Sequence, residues 1–249
     1  VDPYANSVSV NGDKGYVLDI NEKSTKPIGF TNHPIPILSE KDDSIIYEMH
    51  IRDFTIDESS GVINDLRGTY LGTVEENTIY KNPYNGKCVK TGIEHLCELG
   101  ITHVHLMPIF DFGSVDERFP GSNNRNWGYD PKNFNVPEGS YCSNPYNPVT
   151  RILELRQMIM KFHERGIRVV MDMVYNHMMS TVNMDNIVPG YYFRSDYLGR
   201  YTNGSGCGNE LASERPMVRK FIIDSCLHWI KDYKIDGIRF DLMELLDID

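Results

Sequence analysis

From residue 45 onward, the apolar residues of the chain alternate between short continuous runs and longer segments of helical spacing. Continuous apolar runs are typical of parallel strands that are buried on both faces, and spacings of three and four residues predict amphipathic helices. This alternation predicts a parallel sheet with right-handed crossovers. The predicted strands are "SIIYEMHIRDF", "THVHLMPIF", "IRVVMDMVYNH" and "KIDGIRFDLM", and the predicted helices are "KTGIEHLCELG", "ILELRQMIMKFHERG" and "SERPMVRKFIIDSCLHWIKDY".

Single residues mark where these elements end. Gly100 and Gly166 follow the first two helices and suit the left-handed conformation that commonly ends a helix. Ser213 precedes the third helix and is expected to cap it, with Pro216 in the first turn. Pro108 marks the end of the second strand, because proline cannot donate to a strand ladder.

The first part of the chain, residues 1–44, has a different composition. It contains one strand-like piece, "KGYVLDI", and a stretch rich in turns and proline, "TKPIGFTNHPIPILSEKDD". This pattern predicts the end of an N-terminal β-domain followed by a linker, with the alternating sheet and helices in residues 45–249. Because the sequence starts with Val1, we interpret its N-terminus as cut from a longer protein.

The predicted loops are unequal in length. Those from helix to strand are short, whereas the loops after the second and third strands are long and carry many aromatic residues. In a (β/α)8 barrel the active site is built from the loops at the C-terminal ends of the strands. A dinucleotide-binding sheet also binds its ligand there, but no glycine-rich phosphate motif is present. The sequence therefore favours a TIM-type (β/α)8 barrel of which about the first four β/α units are present.

Charge and cysteine content exclude several classes of function. The net charge is −10 and the basic residues are scattered, which argues against a nucleic-acid partner. No apolar run is long enough to predict a membrane helix. The 5 cysteines form no C-x-x-C pair, which argues against a disulfide framework and a zinc site. We expect buried free thiols in a reducing compartment, which favours a cytoplasmic over a secreted protein.

Charged residues occur where two of the predicted strands should be apolar. Asp172 lies inside the third strand, with Asn176 and His177 at its end, and Arg239 and Asp241 share one face of the fourth. Buried carboxylates are costly unless they are paired, and an adjacent arginine holds a carboxylate ionised. Such a carboxylate suits the nucleophile of a retaining glycosidase, although a purely structural ion pair would use the same residues.

Several motifs together resemble the α-amylase superfamily of glycoside hydrolases, and most closely its type I pullulanase branch of debranching enzymes. The hallmark "YNWGYDP" stands here as residues 125–131, with Arg125 in place of the usual tyrosine. The resemblance runs from residue 1 to residue 249. The other stretches that carry it are "YEMHIRDF", "VVMDMVYNH" and "NELASERPMVRKFIIDSCLHWIKDYKIDGIRFDLM".

The resemblance implies a role for each matching residue. Asp241 is the expected nucleophile, and Arg239 is expected to keep it ionised and aligned. Tyr129 is expected to stack under the sugar at the cleavage site, His177 to hydrogen-bond that sugar, and Asp172 to support the site from below.

Two further residues are expected near this site. Trp127 is a candidate substrate-binding residue that also supports its loop, since aromatic faces pack against sugars. Asn176 occupies a position where some relatives bind calcium, so calcium is a candidate ligand although the reaction requires no cofactor.

The resemblance also implies that a catalytic group lies outside this sequence. In the superfamily the general acid/base glutamate lies on the fifth strand, whereas the sequence ends just after the fourth. Glu244 follows Asp241 by three residues and lies off the shared strand face, so we do not expect it to be the acid. The rest of the barrel is expected in missing sequence or in a second chain.

The predicted function is retaining hydrolysis of α-1,6-glucosidic branch points in pullulan, starch or glycogen limit dextrins, with an α-glucan as partner. An isoamylase or branching enzyme of the same superfamily is one alternative, and a non-catalytic α-glucan-binding fragment is another. A metal-dependent amidohydrolase is a third, because His103 and His105 have the spacing of two ligands. Both histidines lie early in their strand, which disfavours that alternative.

Overall fold

A computed structural model describes residues 1–119 and 126–247. Arg125, the departure from the motif noted above, lies outside the described residues. Four of the strands form a parallel sheet, and the remaining four form two antiparallel hairpins. The strands in chain order are β1 (Ile46–Met49), β2 (Ile79–Lys81), β3 (Cys88–Lys90), β4 (His103–Leu106), β5 (Phe110–Phe112), β6 (Pro131–Pro137), β7 (Arg168–Met173) and β8 (Gly237–Phe240).

The parallel sheet has the order β1-β4-β7-β8, as the alternation of strands and helices predicts. The helices are α1 (Ile51–Thr55), α2 (Gly92–Leu99), α3 (Pro148–Glu164), α4 (Val182–Asp185) and α5 (Pro216–Tyr233). Each long crossover contains one helix of eight or more residues, α2, α3 or α5 in chain order, so these helices cover the outer face of the sheet. Buried side chains of β4 and β7 pack with those of the crossover helices in one apolar core.

The predicted helix ends are confirmed at α2 but not at the start of α5. Gly100 adopts a left-handed conformation with φ of 69° and caps α2. Ser213 does not cap α5, because Arg215 holds the cap position without a side-chain bond. The hydroxyl of Ser213 instead accepts the backbone N–H of Asp247 at 2.7 Å, so it joins the loop before α5 to the segment after β8.

The predicted first strand is too long. It ends at Met49, and the following residues form α1, whose first turn is capped by His50. The backbone N–H of Asp53 donates to His50 Nδ1 at 3.1 Å, and this local bond favours a helix over a longer strand. The sequence does not predict the two antiparallel hairpins. β2, β3 and β6 lie in predicted loops, and β5 starts at Phe110, the last residue of the predicted second strand.

The segment 1–44 contains short 3-10 turns and one isolated bridge between Val8 and Gly15. The strand expected in "KGYVLDI" is therefore wrong. Backbone carbonyls at and after the end of this stretch accept hydrogen bonds from a side chain and not from a neighbouring strand. The Arg156 guanidinium of α3 donates to Ile20 O at 3.0 Å and to Thr25 O at 2.9 Å. The division into a β-domain end and a barrel at residue 44 stays a prediction.

The expectation of buried thiols is wrong for three of the five cysteines. Cys142 is buried and Cys226 is partly buried, whereas Cys88, Cys97 and Cys207 are exposed, and all five are free. The three exposed thiols lie on β3, on α2 and in the loop before α5. In the part of the chain that the structure describes, no helix combines the length and apolar character needed to cross a bilayer.

Candidate active site

The candidate site lies at the C-terminal ends of β7 and β8, where Asp172 and Arg239 are opposite each other in the register. Asp172 is completely buried. Arg239 Nη1 donates to Asp172 Oδ1 at 3.0 Å and Oδ2 at 2.9 Å, and to Asp241 Oδ1 at 2.8 Å. Burial lowers the pKa of Arg239, but its bonds to the two carboxylates outweigh that effect and raise it above its usual value. The arginine is thus a permanent cation between two carboxylates.

Tyr129 is held against the same carboxylate from the other side. Its hydroxyl donates to Asp172 Oδ2 at 2.8 Å. Burial and the charge of Asp172 both raise the pKa of Tyr129, so the side chain stays a neutral phenol and a hydrogen-bond donor. The hydroxyl bond fixes the position of the half-buried ring beside the end of the sheet.

His177 and Asn176 follow β7 and reach towards Asp241. One ring nitrogen of His177, Nδ1, lies 2.5 Å from Asn176 Oδ1, and the other, Nε2, lies 2.9 Å from Tyr129 O. Burial lowers the pKa of His177, and the bond to the Tyr129 carbonyl opposes that shift. Asn176 Nδ2 donates to the backbone O of Asp241 at 3.0 Å and to its Oδ2 at 3.1 Å.

Gly128 allows the two aromatic residues beside it to adopt their positions. Its φ is +91°, and a Cβ atom there would lie 2.8 Å from Pro108 Cβ and 3.0 Å from a Phe112 ring carbon. A side chain at this position would therefore displace the loop. Trp127 is 55% exposed and lies at the rim of an open cavity that Tyr129 also lines.

This cavity has a volume of about 670 Å³ and brings most of the predicted site residues to one surface. Tyr129, His177 and Asp241 line it, together with carboxylates from the first β/α unit that the motifs did not indicate. Glu244 is exposed on the 3-10 turn after β8 and is not among the lining residues. The residues that the sequence did not predict are Glu48, His50, Asp53, Met107, Cys207 and Leu242.

Comparison with known proteins agrees with this geometry. The family described as "Alpha amylase, catalytic domain" matches residues 86–188. A pullulanase of Bacillus subtilis is 47% identical over 100% of this chain and 33% of its own length. Isoamylase 3 of Oryza sativa, a chloroplastic protein, is 36% identical over 99% of this chain and 32% of its own length.

A solved structure is similar over nearly the whole chain. The pullulanase of Paenibacillus barengoltzii in complex with maltohexaose and α-cyclodextrin matches with a TM-score of 0.92 and 48% identity, over 98% of this chain and 37% of that one. This chain belongs to the α-amylase family. It spans about a third of the length of the curated relatives it matches, and the fold is the predicted one, the first β/α units of a (β/α)8 barrel.

The two histidines of β4 do not form the metal site considered from the sequence. His105 lies in the barrel interior, with Nε2 3.6 Å from Asp172 Oδ2 and Nδ1 3.7 Å from Glu48 Oε1. His103 Nδ1 instead lies 2.8 Å from Thr102 Oγ1. Within residues 1–119 and 126–247, neither belongs to a group of three acidic, histidine or cysteine donors close enough to hold an ion.

Calcium, which some α-amylase-family relatives bind, does not fit Asn176. Its amide oxygen, the atom that would bind the ion, already accepts from His177 Nδ1. A separate buried group, Asp111, Glu117 and Glu138, does bring three carboxylates together. Arg151 supplies the positive charge there, donating to Glu117 at 2.9 and 2.7 Å, so the place of a cation is taken by a guanidinium.

Proposed function

We propose that this chain forms part of the active site of a retaining glycoside hydrolase that cleaves α-1,6 bonds in α-glucans such as pullulan and limit dextrins. The observation that carries this proposal is the carboxylate of Asp241, which Arg239 holds at 2.8 Å on the wall of an open cavity with aromatic side chains. The similarity to pullulanases over the whole chain supports the choice of bond.

In the proposed reaction, a carboxylate oxygen of Asp241 attacks C1 of the sugar while the bond from C1 to the leaving oxygen breaks. The leaving oxygen takes a proton from a general acid. Water then attacks C1 of the glycosyl ester and gives a proton back to the deprotonated acid, while the ester bond breaks and the Asp241 carboxylate is restored. Arg239 donates to this carboxylate in the free protein and stabilises it as the leaving group of the second step. No step needs a cofactor or a metal ion.

The proposed general acid comes from outside this chain. Glu244 is exposed and does not line the cavity that Asp241 lines. We propose that the remaining strands of the barrel, in further sequence or in a second chain, supply the acid and the rest of the α-glucan subsites.

The proposed sugar contacts use the aromatic and imidazole groups at the cavity. The ring of Tyr129, fixed through its hydroxyl bond to Asp172, offers an apolar face to the sugar at the cleavage site. Trp127 offers a second face at the rim. His177 Nε2 lies near the same surface and would exchange its bond to Tyr129 O for one to a sugar hydroxyl.

The test is the release of maltotriose from pullulan by the full-length protein that contains this chain, with and without Asp241→Asn. We expect the variant to lose activity by about three orders of magnitude or more, as loss of a nucleophile does. Asp224→Asn on the surface of α5 is the control and should keep activity. Hydrolysis that survives Asp241→Asn would refute Asp241 as nucleophile.

Isoamylase-type debranching is the second candidate function, because a chloroplastic isoamylase is 36% identical over 99% of the chain. Comparing release of reducing ends from pullulan and from glycogen separates the two. If maltotriose is bound in calorimetry but no reducing ends appear with either polymer, the chain is part of a glucan-binding protein instead.

We propose a reducing compartment for this protein, because three exposed thiols would be open to oxidation elsewhere. Thiol titration of the protein isolated under trapping conditions tests this. Free thiols at all five positions are expected, and a disulfide that uses any of them would contradict the proposal.

A further inference from the structure

Asn176 has a side chain that joins two functional groups of the proposed site. It is 1% exposed, and each end of its amide has a partner within the site. Nδ2 lies 3.0 Å from Asp241 O and 3.1 Å from Asp241 Oδ2. Oδ1 lies 2.5 Å from His177 Nδ1.

The orientation of this amide follows from the chemistry of its neighbours. Both atoms of Asp241 that face Asn176 are oxygens without a proton to donate, so the NH2 group must be on that side. The opposite orientation would place the amide oxygen against a carbonyl and a carboxylate oxygen. Because Oδ1 can only accept, its bond to His177 needs a proton on Nδ1, and the carbonyl of Tyr129 likewise needs one on Nε2.

The carboxylate of Asp241 therefore has one donor on each oxygen. Arg239 holds Oδ1 at 2.8 Å and Asn176 holds Oδ2 at 3.1 Å. The backbone of Asp241 is fixed at the same place, because its N–H donates to Met173 O at 2.9 Å and its own carbonyl accepts from Asn176. The side chain is thus restricted at both oxygens and at the main chain.

We propose that Asn176 is a positioning residue, which sets the orientation of the Asp241 carboxylate, and is not a calcium ligand. This inference rests on the proposed function, in which Asp241 is the nucleophile. A nucleophile aligned before the substrate arrives reacts faster than one that must reorient, because small errors in position at the reacting atoms cost rate.

Asn176→Asp is the decisive variant. It keeps the acceptor for His177 but replaces the donor to Asp241 with a second carboxylate, which disfavours ionisation of the nucleophile. It also replaces an amide oxygen with a stronger calcium ligand. Positioning and calcium binding therefore predict opposite outcomes. Among the residues that the structure describes, the titratable and charged groups around Asp241 are Arg239, Asp172, Tyr129, His177, Glu48, His50, Asp53 and Cys207.

The reaction is best followed with an α-glucosyl fluoride in the full-length protein. An Asp241 oxygen bonds to C1 as the C1–F bond breaks, and fluoride leaves without needing a proton, so the rate of this step reports on the nucleophile and not on the general acid. For Asn176→Asp we expect kcat to fall about ten- to a hundredfold with KM changed less than about threefold. In the pH profile of kcat/KM, the acid limb should shift to higher pH by about one unit.

Two further variants complete the test. Asn176→Ala removes both bonds without adding charge, so it should lower kcat but move the acid limb to higher pH by less than Asn176→Asp does. Asn186→Asp adds the same charge at an exposed position and should behave as the wild type. Millimolar calcium should change neither the melting temperature nor the rate of the wild type or of Asn176→Asp.

The inference is overturned if Asn176→Asp keeps the wild-type kcat and pH profile, or if calcium stabilises the wild type and does so more strongly after this substitution. Asp241→Asn, measured beside these variants, separates this inference from the proposed function. If Asp241→Asn is inactive but the Asn176 variants react normally, only the inference fails. If Asp241→Asn itself reacts normally, the proposed function fails.

Discussion

At the scale of single residues, two buried charged side chains dominate the energetics, one a carboxylate and the other a guanidinium. At the candidate site, Asp172 is completely buried and depends on Arg239 and Tyr129 to satisfy its oxygens. Away from the site, Arg151 is equally buried and faces three carboxylates. Charges in such positions are stable only while every partner is present, so single substitutions there have large effects.

Removing the hydroxyl of Tyr129 tests the first of these groups. Tyr129→Phe keeps the ring but leaves Asp172 Oδ2 without one of its donors, so we expect the free energy of unfolding to fall by about 1–2 kcal/mol. Urea titration measures this. Tyr197→Phe is the control, because Tyr197 is 93% exposed, and equal effects of the two changes would contradict the interpretation.

The three carboxyl groups around Arg151 predict an unusual dependence of stability on pH. Burial raises the pKa of Asp111 from 3.8 to about 7, although Arg151 opposes the shift. A carboxyl group whose pKa is raised by folding contributes stability that is complete below its unfolded pKa and is lost as pH rises through the folded value.

Asp111→Asn should therefore gain stability relative to the wild type as pH rises from about 4 to about 7, by a few kcal/mol at most. Thermal unfolding at a series of pH values measures the difference. Asp116→Asn is the contrasting variant, because hydrogen bonds from Arg118 lower the pKa of Asp116, so its contribution is lost as pH falls. A pH-independent difference for Asp111→Asn would contradict the prediction.

At the scale of elements, α3 joins the N-terminal segment to the sheet through a line of hydrogen bonds. His33 Nδ1 lies 2.7 Å from Phe30 O, His33 Nε2 lies 2.8 Å from His163 Nδ1, and His163 Nε2 lies 2.8 Å from Asp236 Oδ2. Burial lowers the pKa of His33. The line of bonds ties the segment 1–44 to α3 and to Asp236, the residue just before β8.

Asp236→Asn replaces the carboxylate at the end of this line, which lies 2.8 Å from His163 Nε2 and accepts from the backbone N–H of Val169 at 2.8 Å. Because His163 is completely buried and the Asp236 side chain is 6% exposed, we expect a loss of about 1–3 kcal/mol in the free energy of unfolding. Asp232→Asn breaks the more exposed pair with His228 and should cost less than Asp236→Asn, about 1 kcal/mol at most. Urea titration compares them, and hydrogen exchange in residues 20–34 should rise only in Asp236→Asn. Equal losses would contradict the stabilising role of this line.

At the scale of the whole molecule, the parallel sheet has β1 and β8 as its edges in the described part of the chain. Ile46 on β1 is 61% exposed and Arg239 on β8 is partly exposed. Exposed edges with apolar side chains pair readily with other strands. The rest of a barrel would cover both edges and the inner face of the sheet.

The isolated 249-residue chain should therefore associate with itself in a concentration-dependent way. Ile46→Lys should shift it towards monomer, because lysine on an edge strand opposes strand pairing. Sedimentation velocity measures the distribution. Ile28→Lys, at a fully exposed position outside the sheet, should leave association unchanged, and a monomeric wild-type chain would contradict the prediction.

Local patterns in the sequence determined the parallel sheet, the crossover helices and the face shared by Arg239 and Asp241, because a strand repeats every two residues and a helix every 3.6. The motif resemblance determined the family and pointed to Tyr129 and His177. These features depend on neighbours close in sequence, or on motifs that can be compared directly.

Tertiary structure alone decided which distant groups meet. It placed Asn176 between Asp241 and His177, His33 beside His163, and Arg151 among three carboxylates. It also replaced the expected strand near the N-terminus with a segment held by side chains of α3. The reason is physical: the partners in these contacts come from different elements, and their hydrogen bonds exist only once the sheet register and helix packing have brought the donors and acceptors together.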